Sequence, residues 1–182
     1  YHTQDGGNHW KKSNLNYLSH EQFSELVSLH CRNNFTQCIL LAQAQQQNQS
    51  FIENYIQISK DQGRSWSSPM ILKNPNHADI LVSDLACDGA HQCFIAARKG
   101  TLRTETFFYQ SEDDGHHWHQ ALFAKSNIQN LETDLIAGLL CQQDGHMCLA
   151  IRYEKDKANQ VIQSVYQKQS NMPWKKIATL SK

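Results

Sequence analysis

The chain predicts an all-β fold made of repeated antiparallel four-stranded units. Three observations carry this expectation. An eight-residue pattern, Ser/Thr-x-Asp-x-Gly-x-x-Trp, recurs at 3–10, 59–66 and 111–118, and a decayed fourth copy at 167–174 has Gln169 in the Asp place and Asn171 in the Gly place. All four tryptophans, Trp10, Trp66, Trp118 and Trp174, therefore share one register, separated by 56, 52 and 56 residues. Between them lies a cysteine pair, Cys31 with Cys38, Cys87 with Cys93 and Cys141 with Cys148, whose first member follows the preceding Trp by 21, 21 and 23 residues. Self-similarity at a fixed period of this length marks a repeat architecture.

The middle repeat shows the strand order. Ile80 to Ala86 is apolar enough for an inner strand, and His91 to Arg98 returns beside it after the Asp88-Gly89 turn. Thr104 to Gln110 is a β-branched and aromatic run, and the eight-residue pattern turns it into a strand from His117 to Ala124. The equivalents are Glu25 to His30, Cys38 to Gln45, Ile52 to Ile58 and Trp66 to Leu72, then Leu135 to Leu140, Met147 to Tyr153, Val161 to Tyr166 and Trp174 to Leu180. No segment requires a helix. The units fall at 25–73, 80–125 and 134–182, preceded by the last hairpin of a fourth at 1–15. Four-stranded sheets repeating at about 40 to 50 residues are the blades of a β-propeller. The chain is thus expected to hold three full blades plus one half blade in a single domain over 1–182, or part of one. A ring needs about four to eight blades. Either the rest of a longer polypeptide completes it, or two copies form a homodimer that hides the open sheet edges.

Each conserved place in the pattern has a physical task. The carboxylates of Asp5, Asp61 and Asp113 accept backbone N–H groups of their own turns, Gly7, Gly63 and Gly115 supply positive φ, and the tryptophans pack beneath. These are structural roles. The cysteine spacing of six or seven across a tight hairpin suits cross-strand disulfides, not a zinc knuckle. Three persisting disulfides imply a secreted, extracellular or periplasmic protein. No basic and apolar leader opens the chain, so a secretion signal is expected to have been removed or to lie upstream.

Composition excludes some partners. Lys plus Arg and Asp plus Glu are 17 each, and the basic runs are pairs such as Lys11-Lys12 and Lys175-Lys176, so no field draws the chain onto nucleic acid. The longest apolar stretches, Leu135 to Cys141 and Cys93 to Ala97, fall far short of the roughly 20 residues of a membrane-spanning helix, and no membrane insertion is expected. The cluster His116-His117-Trp118-His119 is the densest group of metal-ligand types. In a strand His117 and His119 share a face, but no third ligand is fixed, and neither metal nor cofactor is expected.

The repeated pattern resembles the Asp box of the BNR-repeat propellers, a superfamily that includes sialidases, other glycoside hydrolases and sortilin-like receptors. The likeness extends along the whole chain as a repeat. It implies that the box turns lie on the outer, non-catalytic side of the blades. It also sets a test for catalysis, because a sialidase of this family needs three clustered arginines, a Tyr/Glu nucleophile pair, an acidic general acid and a Phe/Tyr-Arg-Ile-Pro motif. The chain has five arginines and no Arg-Ile-Pro. A non-enzymatic member is therefore the expectation, with a glycoside hydrolase completed by a missing segment or second copy as the alternative. For that alternative Asp79 and Asp134, at equivalent connections, are the carboxylate pair to nominate.

Binding is expected at the sheet ends opposite the boxes. The connections at 13–24, 74–79 and 126–134 and the mid-blade loops at 45–51, 99–103 and 154–159 supply candidate contacts for a carbohydrate or protein ligand. Those contacts are Tyr17, His20, His77, Asp79, Arg98, Arg103, Glu132, Asp134 and Arg152, with Glu21 and Lys99 beside them.

Overall fold

A computed structural model describes residues 1–13, 15, 21–32, 36–46, 52–73, 80–89, 91–99, 105–121, 123, 135–142, 147–156, 158, 160–169 and 172–180, with the backbone alone at 21–24, 46 and 105. The described residues contain twelve strands and no helix. Strands β1 (Glu21–Cys31), β2 (Cys38–Gln46), β3 (Ile52–Ser59) and β4 (Met70–Ile71) form one four-stranded sheet in that order. β5 (Ile80–Cys87), β6 (Cys93–Lys99), β7 (Glu105–Ser111) and β8 (His119–Ala121) form the second, and β9 (Leu135–Cys141), β10 (Met147–Lys155), β11 (Val161–Gln169) and β12 (Lys175–Leu180) the third. Every pairing is antiparallel between chain neighbours, so three sheets share one topology. The chain divides into two compact units, Tyr1–Lys73 and Asn74–Lys182.

The first unit holds the β1–β4 sheet and the N-terminal hairpin, closed by paired backbone bonds between His2 and Lys11. Alternation puts Cys38 and Leu40 on one face, where Trp66 joins them in a buried cluster with Cys31, Ala42 and Leu15 packed against it. The opposite face carries Ile39, Leu41, Ile56 and Ile58, all buried.

In the second unit two sheets pack against each other. Phe94, Ala96, Phe108 and Phe123 from one meet Cys148, Ala150, Tyr166 and Trp174 from the other. Trp174 stacks on Phe108 with centroids 4.8 Å apart and meets Phe94 edge-on at 5.8 Å. Such aromatic pairs add about 0.5–1.5 kcal/mol each beyond their burial. The inner strands are tied directly: Ser83 Oγ donates to the Ile136 carbonyl at 2.8 Å, and the Leu139 N–H donates to the Asp84 carboxylate at 2.9 Å. The middle sheet is buried on its other face too, at Ile95, Ala97, Phe107 and Tyr109.

All three inner strands carry a β-bulge at the same place. The pairing slips at Val27 in β1, Ser83 in β5 and Ala137 in β9, each four residues before the first cysteine of its repeat. A bulge bends the strand and increases its twist. The repeat therefore extends into backbone geometry.

The observed strands differ from expectation at several edges. β1 begins at Glu21 rather than Glu25. β6 begins at Cys93, because His91 sits at φ 74° in the turn. The outer strands β4 and β8 keep only two and three residues. Beside β3, Pro69 has no N–H to give to a ladder, and Ser67 makes the edge contact, its N–H donating to the Ile58 carbonyl at 2.9 Å and its hydroxyl accepting from the Ile58 N–H at 3.0 Å. The fourth box is also shorter than its spacing suggests. Ser59 and Ser111 pair with Cys38 and Cys93, whereas the partner of Cys148 is Lys168, one residue past Gln167.

Candidate functional site

Each sheet has two chemically distinct ends, and the disulfide hairpin and the box turn share one of them. Cys31 bonds Cys38, Cys87 bonds Cys93 and Cys141 bonds Cys148, each bridging directly paired residues of the first two strands in its sheet. Three such bridges suit an oxidising, extracellular-type environment.

The box turns use their own polar groups. The Thr3, Ser59 and Ser111 hydroxyls donate to Asp5, Asp61 and Asp113 at 2.8 Å each, and accept the N–H of Gly7, Gly63 and Gly115 at 3.0, 2.8 and 2.9 Å. The same carboxylates accept the backbone N–H of His9, Ser65 and His117 at 2.9, 2.9 and 2.8 Å. Their second oxygens meet His9 Nδ1 at 2.5 Å, Ser65 Oγ at 2.6 Å and His117 Nδ1 at 2.5 Å. These bonds favour the anion and lower all three carboxyl pKa values to about 2. For Asp5 the His9 N–H acts most strongly and for Asp61 the Ser65 hydroxyl; for Asp113 partial burial pulls upward but is outweighed by His117 and Ser111.

Two consecutive left-handed residues build each turn: Gly6 and Gly7, Gln62 and Gly63, Asp114 and Gly115. The sequence pattern marks the second of these, and the first went unread. Trp66 is buried against its turn as expected, but Trp10 is 60% exposed although its ring lies against Gly7. Trp118 donates its indole N–H to the Gly115 carbonyl at 2.8 Å. In the middle repeat the turn also clasps the disulfide hairpin, since the His91 carbonyl accepts the Asp114 N–H at 3.0 Å and His91 Nδ1 meets the Asp114 carboxylate at 2.8 Å. His117 is thus held by Asp113, and among the described residues no group of three or more His, Cys, Asp or Glu converges on a metal position.

Toward the other end the faces turn polar. From Cys148 the alternation runs Ala150, Arg152, Glu154, so these side chains point into the packing between the two sheets of the second unit. Arg152 is 2% exposed, its guanidinium 4.9 Å from the Phe123 ring centre and 5.8 Å from that of Tyr166. Glu154 accepts Ser164 Oγ at 2.6 Å and Lys176 Nζ at 2.7 Å on one oxygen, and Tyr166 Oη at 3.0 Å on the other, with Arg152 at 3.8 Å. Burial raises the Glu154 pKa, but Lys176, Ser164 and Tyr166 outweigh it and the net direction is down. Burial and the Glu154 charge push Tyr166 up to about 12. Glu154, Ser164, Tyr166 and Lys176 escaped the sequence reading, although period-two alternation from Cys148 was enough to find the first.

Of the nine candidate contacts, Arg98 and Arg152 are described. Arg98 is half-buried beside its cross-strand neighbour Thr106, on the face that carries Phe94 and Ala96. Arg152 is turned into the core, so its charge steadies packing where an exposed contact was expected. Tyr17, His20, His77, Asp79, Arg103, Glu132 and Asp134 lie outside the described residues, and so does any separation between Asp79 and Asp134. Comparison of the chain with protein-family models and with curated proteins finds no match.

Proposed function

We propose that the chain is an Asp-box propeller module of a secreted or periplasmic protein, which binds a carbohydrate or protein ligand and has no catalytic activity. One observation carries this reading: three boxes share the same internal bonding, and those at Ser59 and Ser111 sit beside disulfide hairpins at one end of their strands. Their carboxylates, hydroxyls and glycine N–H groups bond within the turn, which makes that end a structural clamp. Recognition then falls to the opposite ends, where Arg98 lies and to which the sequence reading assigns Tyr17, His20, His77, Asp79, Arg103, Glu132 and Asp134. A sheet scaffold with variable loops at one end is a common way to carry a binding site.

Glycan and protein arrays probed with the intact, disulfide-bonded chain test the proposal. Binding of a defined glycan or protein, weakened at least several-fold by Arg98→Ala with the circular dichroism unchanged, is the expected outcome. No ligand on either array, together with turnover of an aryl glycoside that Asp79→Asn or Asp134→Asn abolishes, would replace the proposal with the hydrolase reading.

A further inference from the structure

The β9–β12 sheet carries apolar residues on both faces. Its buried face holds Ile136, Leu139, Ala150 and Tyr166 together with Arg152, Glu154 and Lys168, while its outward face holds Leu149, Ile151 and Tyr153 on β10, with Gln163, Val165 and Gln167 opposite them on β11. Leu140 pairs with Leu149, Gly138 with Ile151, Ala178 with Val165 and Leu180 with Gln163, so the apolar positions form one continuous surface across four strands. Leu140 is 68% exposed, Val161 52%, Leu180 47% and Ile151 40%. A Cβ added at Gly138 would meet nothing within 4 Å. The centre carries no charge; Lys155 and Lys175 sit at its margins. Monomeric proteins rarely expose a contiguous apolar patch of this kind without an interaction to cover it.

We infer that this outward face is a dimerisation surface, covered by the same face of a second copy. The register shows that the face is built for a sheet: the matching positions of the middle sheet, Phe94, Ala96 and Phe108, are covered by the next sheet in the chain. Among the described residues the faces bearing Ile95 and Phe107, and Ile39 and Leu41, are buried, while the face bearing Leu40 and Trp66 leaves Leu26 58% and Leu29 53% exposed on β1. An uncharged centre makes the face self-complementary about a two-fold axis, the commonest symmetry of soluble dimers. Four strands about 4.8 Å apart and about seven residues long present roughly 400–500 Å² per copy. The pair buries roughly 1,000 Å², the lower limit for a specific interface, so the dimer is weak and forms at micromolar concentrations or above.

Sedimentation equilibrium of the oxidised chain tests this. The average mass should rise from one copy, 20.9 kDa, toward two between roughly 1 and 200 µM. Leu140→Lys and Ile151→Lys should each weaken association at least tenfold, whereas Ile71→Lys, at a 48% exposed residue of the first unit, should leave it unchanged. Circular dichroism verifies each fold. If a variant fails to fold, hydroxyl-radical labelling of the wild type decides, with Leu140, Ile151 and Tyr153 protected at high concentration. A monomer throughout that range, a dimer indifferent to both lysines, equal loss from Ile71→Lys, or unchanged labelling would each overturn the inference.

Discussion

Glu154→Ala tests the buried polar cluster of the second unit. The substitution removes the acceptor shared by Ser164, Tyr166 and Lys176 and leaves the Arg152 guanidinium, 2% exposed, without the carboxylate 3.8 Å away. Truncating one member of a buried pair costs about 3–5 kcal/mol, chiefly because the remaining charge stays desolvated. Lys176 is 38% exposed and recovers solvent, so the lower part of that range, about 3 kcal/mol, is the expected loss. At about 2–4 °C per kcal/mol for a chain of this size, the midpoint should fall by about 6–12 °C. Urea titrations at pH 7 measure the loss directly. The double variant Arg152→Met, Glu154→Leu should cost less than Glu154→Ala, since the guanidinium is removed together with its carboxylate. A loss below 1 kcal/mol for Glu154→Ala, or a double variant worse than the single, would show that the cluster is solvated and not part of the sheet packing.

Three further outcomes follow from the turns and the faces. The box carboxylates have folded pKa values of about 2 against an ordinary 3.8, so their contribution is complete above about pH 4 and is lost as the pH falls through 2; Asp61→Asn should flatten urea midpoints across that window, and an unchanged slope would contradict the turn geometry. Gln62 occupies a left-handed position at φ 65°, where an L side chain costs about 1 kcal/mol, so Gln62→Gly should be neutral or stabilising in thermal melts, whereas Gly63→Ala at φ 79° should destabilise by about 1 kcal/mol or more. Among the described residues Thr106 Oγ1 is buried with no hydrogen-bond partner, so Thr106→Val should raise stability by about 1 kcal/mol in urea titrations, and a loss would reveal a partner for the hydroxyl.

Strand order and the disulfide pairing were legible because each depends on local chemistry that repeats. Ser59 and Ser111 stand in their boxes for the same reason, to bond Asp and Gly within eight residues, and Cys38 and Cys93 sit opposite them across one ladder. What escaped depends on contacts between elements. The bulges at Val27, Ser83 and Ala137 share no residue type, since a bulge is a property of pairing and not of one side chain. Arg152 reads as a loop-end charge until Phe123 and Tyr166 are seen around it. The fourth box keeps its tryptophan at the matched spacing, but Lys168 displaces the serine position by one residue and reaches across Phe94 to the Met172 carbonyl. Most candidate contacts fall in the connections outside the described residues, where composition supplies residue types and no geometry.

The central claim is that one clamped four-stranded sheet is repeated three times. Proteolysis of the unreduced chain followed by mass spectrometry tests it most directly. The account predicts no free thiol and three local linkages, Cys31 to Cys38, Cys87 to Cys93 and Cys141 to Cys148. Free cysteines, or any linkage joining one repeat to another, would contradict it.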